Sequence, residues 1–109
     1  MKENDYFVIS YRILAYLYDC LKEAREVDRD VVSYQALGIN EAYHNWIMKA
    51  LYEAGRISGV YPINGSKYVK IVYKDLEITE QGIIFLQENS SIEKAKRFLK
   101  DIKAIIPGA

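Results

Sequence analysis

The sequence predicts a mainly α, α+β domain with the layout of a winged helix-turn-helix: three helices, a two-stranded β-hairpin wing, and two C-terminal helices. Three stretches predict it. Residues 38–55 read as one helix with a stop signal at each end, since Asn40 can accept a hydrogen bond from an orphan first-turn amide and Gly55 can adopt the left-handed conformation past the last turn. Just before it, residues 33–37 read as a short helix capped by Ser33 and stopped by Gly38, so Gly38-Ile39-Asn40 is a tight turn joining two helices. Just after it, Arg56-Ile57-Ser58-Gly59-Val60-Tyr61 is strand-like, and Asn64-Gly65 further on is a strong hairpin signal.

Length and composition set the frame. A chain of 109 residues fits one domain, here 1–109 with a core at 5–88 and a C-terminal helix at 90–106. Half the residues are apolar, which suits a folded globule. Basic and acidic residues number 15 each, which argues against a strongly basic nucleic-acid coat. Their distribution is uneven: residues 31–74 carry five basic and two acidic groups, residues 75–89 four acidic and no basic, and residues 90–109 five basic and two acidic. A positive DNA-facing surface is therefore compatible with a neutral chain. The lone cysteine, Cys20, sits in an apolar helical pattern and reads as a small core residue of a reducing, cytoplasmic compartment. No signal peptide pattern and no run near the ~20 apolar residues of a membrane span is present, so no membrane partner is expected.

Taken in order, the first helix is expected over residues 5–26, with Ile9, Ile13, Leu17, Leu21 and Ala24 as a core stripe and Val8, Tyr11, Ala15 and Tyr18 as a second stripe elsewhere on the cylinder. Charged residues 22–30 form a solvated turn. In the third helix Tyr43, Ile47, Ala50, Leu51 and Ala54 make the apolar face; Glu41, His44, Asn45, Met48, Lys49 and Tyr52 make the opposite one. The strands are expected at 57–62 and 67–73. A three-residue loop, Ile63-Asn64-Gly65, puts Ile57 on one face with Val69, Ile71 and Tyr73, with Gly65 left-handed in a bulge. Thr79 caps a fourth helix running to about residue 88, with Ile83, Leu86 and Phe85 on its apolar side. Ser90-Ser91-Ile92-Glu93, with Ser at the cap and Glu three residues later, forms a capping box for a fifth helix with Ile92, Ala95, Leu99, Ile102 and Ile106 on one stripe.

The run Ile78-Thr79-Glu80-Gln81-Gly82-Ile83-Ile84-Phe85-Leu86 resembles the Leu-Thr-x-x-Gly-x-x-x-Leu segment that follows the wing in many winged-helix regulators, and its pairing with Ala50-Leu51-Tyr52-Glu53-Ala54-Gly55-Arg56-Ile57 is similar too. From Tyr11-Arg12-Ile13-Leu14 to the last helix, the chain resembles the YjcQ-like family of small bacterial and phage-associated proteins. That resemblance implies a winged-helix fold and no particular activity. Unlike typical winged-helix regulators, the third helix carries one base, Lys49, against Glu41 and Glu53.

The leading expectation for function is a small DNA-binding transcriptional regulator acting as a homodimer on double-stranded DNA. His44, Asn45 and Lys49 would face base edges from the third helix, and Asn64, Ser66, Lys67 and Lys70 of the wing would touch phosphate or the minor groove. The plain alternative is that these are solvent-facing residues of an amphipathic helix and a hairpin. Trp46 reads as a boundary core residue, and the ten tyrosines as core and interface. The rival function is a winged-helix module for an unidentified protein partner, without DNA binding. The homodimer, or an equivalent packing within one chain, would set Ile92, Leu99, Ile102 and Ile106 against Val8, Tyr11, Ala15 and Tyr18. No enzyme is expected: one Cys and one His make no zinc site, there is no phosphate-binding Gly-rich loop, and no cofactor or metal is implied.

Overall fold

The structure of the chain is a computed structural model that describes residues 4–65 and 67–91. Its order is α1 (Tyr6–Lys22), a 3-10 turn (Arg29–Val32), α2 (Tyr34–Leu37), α3 (Glu41–Glu53), β1 (Ile57–Asn64), β2 (Val69–Ile78) and α4 (Glu80–Glu88). The architecture is α+β, four α-helices and one two-stranded antiparallel sheet among the described residues. The expected fifth helix lies outside them, apart from a helical Ser90 and Ser91.

Short polar side chains start the helices where the sequence places them. The Ser33 hydroxyl accepts from the Ala36 amide at 3.2 Å, the Asn40 side chain from Tyr43 at 2.8 Å, and the Thr79 hydroxyl from Gly82 at 3.2 Å. Gly38 and Gly55 end α2 and α3 in the left-handed region, both at φ 72°. The first helix ends at Lys22, where the charged run begins, and so short of the expected residue 26. Ala24 turns to φ 52° and the Arg25 amide bonds back to the Cys20 carbonyl. Leu21 and Ala24, expected in the core stripe, are therefore exposed. A strict step of four residues drifts around a helix of 3.6 residues per turn, and the buried arc follows Ile9, Ile13, Leu14, Leu17 and Cys20 instead.

The hairpin register also departs from expectation. Asn64 pairs with Val69, so the turn is 65–68 rather than a three-residue loop, and Gly65 is not left-handed. The pairing slips between Ser58 and Val60, where Gly59, φ 77°, stands alone against residues 74–76 of β2. A side chain at 59 would fall on the Asp75 carbonyl. The slip lets Ile57 and Val60 both enter the core, which unbroken alternation forbids. Val60, Pro62, Val69, Ile71 and Tyr73 then share the face toward α3, while Tyr61, Ile63, Lys70 and Val72 share the other.

One hydrophobic cluster joins the elements: Ile9, Ile13, Leu14 and Leu17 of α1, Ile47, Met48 and Leu51 of α3, Ile57, Val60, Leu76 and Ile78 of the sheet, and Phe85 and Leu86 of α4. Each such side chain contributes about 1.5–3 kcal/mol when fully buried. That magnitude sets the rotation of α3. Burying Met48 with Ile47 and Leu51 turns the helix by roughly 60° from the expected face. His44, one turn before Met48, goes inward with it, while Ala54 is left exposed.

Candidate functional site

The rotation of α3 decides which residues it offers outward. His44 is 5% exposed and its Nε2 donates to the Val32 carbonyl at 2.7 Å, tying α3 to the 3-10 turn. Its ring also meets Tyr34 edge-on, with centroids 6.5 Å apart. The expectation that His44 faces a base edge is thus corrected: it is an internal clasp. Asn45 is half-buried, and its Nδ2 donates to the Val69 carbonyl at 3.0 Å, clamping the wing to the helix. That bond takes one of the amide's two N–H donors and directs the side chain to the wing backbone. Lys49 remains, half-buried on the outward side between the exposed Glu41 and Glu53.

The wing residues behave differently. Asn64 closes β1 and is exposed, as are Lys67 and Lys70, while Ser66 lies outside the described residues. Between the wing, the 3-10 turn and the first half of α3 runs a cleft of about 610 Å³, lined among others by Arg29, Asp30, Glu41, His44, Lys70 and Tyr73. Arg29 sits 4.5 Å over the Tyr73 ring. Burial pushes the Tyr73 phenol above its ordinary value, with the Arg29 guanidinium pulling the other way. The cleft's lining is balanced in charge, with two basic and two acidic residues.

Of the residues expected at an interface, Val8 is buried, and Tyr11, Ala15 and Tyr18 are half-buried and pack against the core. Their four expected partners, Ile92, Leu99, Ile102 and Ile106, lie outside the described residues.

The feature missed from sequence is an aromatic row crossing three helices. Trp46 of α3 meets Tyr6 edge-on at 5.6 Å, Tyr6 meets Phe7 at 5.2 Å, and Phe7 stacks on Phe85 of α4 at 6.4 Å and 11°. Arg56 closes the row 4.7 Å over Phe85. Trp46 and Phe7 are each 54% exposed, whereas Phe85 is buried. The one available signal was negative: Phe7 belongs to neither apolar stripe of α1.

No helix of the described residues is long and apolar enough to cross a membrane. No significant match exists among curated proteins or among solved structures. A family model described as "YjcQ protein" matches residues 11–105, most of the chain, and the chain belongs to the YjcQ family.

Proposed function

We propose that this chain is a winged-helix domain that acts as a protein-interaction module, docking a partner through the aromatic row rather than through base contacts. It has no catalytic role and works in a reducing, cytoplasmic compartment, which the free and buried Cys20 suits. The order helix, short helix, helix, hairpin, helix supports the winged-helix reading. The observation that carries the functional one is the exposure of Trp46 and Phe7, joined through Tyr6 into one surface. Large aromatic side chains are enriched at interface centres, because they bury much area at little entropic cost. A contiguous exposed cluster of them marks a contact surface.

Trp46 is the only tryptophan, so its emission reports on this surface directly. Light scattering at tens of micromolar separates the homodimer from a foreign partner: a mass of twice 12.6 kDa that halves in a Phe7→Ser, Trp46→Ser variant assigns the surface to self-association. A wild-type mass near 12.6 kDa leaves a foreign protein, sought by affinity capture against the same double variant. Capture that is identical with both proteins rejects the reading.

The exposed wing favours a second reading, the DNA-binding regulator, because Lys67 and Lys70 stand free of ion pairs among the described residues. In that case Lys67→Ala and Lys70→Ala weaken binding to every duplex alike and lower its salt dependence. No mobility shift on pooled duplex DNA at low salt excludes it.

A further inference from the structure

The outer face of the hairpin, turned away from α3, is the strongest surface not used by the proposal above. The regularly paired part of the wing, residues 60–73, holds two lysines, Lys67 and Lys70, and no carboxylate. The slip at Gly59 and the Asn64–Val69 pairing put Tyr61 opposite Val72 and Ile63 opposite Lys70 on that face. Tyr61 and Ile63 are each 50% exposed and Val72 39%. Such apolar side chains usually turn inward, yet their strand neighbours Val60, Pro62, Ile71 and Tyr73 already occupy the inner side.

The cations and the apolar groups are arranged in two tracks. Lys67 lies in the turn, and Lys70 follows on β2, opposite Ile63. Tyr61 and Ile63 stand beside them on β1, two residues apart and so about 6.7 Å along the strand. A line of positive charge next to a line of flat or branched apolar side chains matches a polyanion whose bases are splayed out. In a duplex the bases are stacked and only their edges reach the grooves, so a flat sheet face cannot pack on them. Single strands offer the base planes themselves, and stacking on an aromatic ring accepts any base.

We propose that the outer wing face binds single-stranded nucleic acid, with bases stacked on Tyr61 and packed on Ile63 and Val72, and with phosphates held by Lys67 and Lys70. The contact is sequence-tolerant and salt-sensitive, since lysines meet phosphates and the apolar groups read no base edge. It is independent of the aromatic row on α1 and α3.

The test is fluorescence anisotropy of a labelled oligothymidylate of about 12 nucleotides with the full chain, at low and moderate salt, beside a duplex of the same length. The single strand binds more tightly than the duplex, Tyr61→Ala weakens it about tenfold, and Tyr61→Phe restores it. Lys70→Ala reduces the slope of affinity against salt. Because Tyr61 is exposed, its truncation leaves the circular dichroism unchanged. Trp46 emission stays constant throughout, which separates this surface from the aromatic row. Equal binding of duplex and single strand, indifference to Tyr61→Ala, quenching of Trp46, or binding only to vesicles of phosphatidylglycerol and phosphatidylcholine overturns the proposal.

Discussion

The Nε2 of His44 lies 2.7 Å from the carbonyl oxygen of Val32, and this bond joins α3 to the turn that precedes α2. The carbonyl can only accept, so Nε2 carries the proton. His44→Ala leaves a buried acceptor without a donor and is expected to cost about 1–3 kcal/mol. Urea unfolding reads this as a lower midpoint at unchanged slope. An unchanged midpoint would show that the bond is not part of the fold's stability.

A second clasp holds the wing. The Asn45 amide reaches the Val69 carbonyl across 24 positions of sequence. Asn45→Ala is expected to cost about 1 kcal/mol and to speed hydrogen exchange of the β2 amides more than those of α1. Uniform exchange rates in the variant would assign the wing's position to apolar packing alone.

Two left-handed glycines should respond unequally. Gly38 has open space around a Cβ position, so Gly38→Ala costs only the backbone term of about 1–2 kcal/mol. At Gly59 the new carbon would meet the Asp75 carbonyl of the paired strand as well. Gly59→Ala should therefore lose roughly twice as much, or shift the register. Thermal melts of the two variants, compared side by side, decide it; equal losses would show that β2 yields freely.

Tyr73 links stability to alkaline pH. Burial raises its phenol above the ordinary value of 10.0, so the folded state prefers the neutral form. Above that pH the unfolded chain releases the proton first, and stability falls as pH rises toward the folded value. Below it the contribution is fully present. Tyr73→Phe keeps the ring and removes the titration, so its stability should decline less than wild type between about pH 9 and pH 11. Parallel declines would mean the phenol is solvated.

Local chemistry made much of the fold legible in the chain. Ser33, Asn40 and Thr79 cap the helices they precede, and Gly38 and Gly55 end two of them, because caps and left-handed stops depend on only a few neighbouring residues. The family resemblance, carried by motif order, is likewise matched over residues 11–105. What the tertiary structure decided were rotations and registers, where neighbouring faces compete. An α3 carrying apolar residues at 43, 47, 48, 50 and 51 has two plausible inward faces, and contact with the sheet chose the one with Met48, taking His44 inside and leaving Trp46 out. In β1, one left-handed glycine reversed the side to which every following residue points, so Tyr61 and Ile63 came to face outward. Both choices depend on how much apolar surface the assembled core removes from water, a quantity no single stretch of sequence contains.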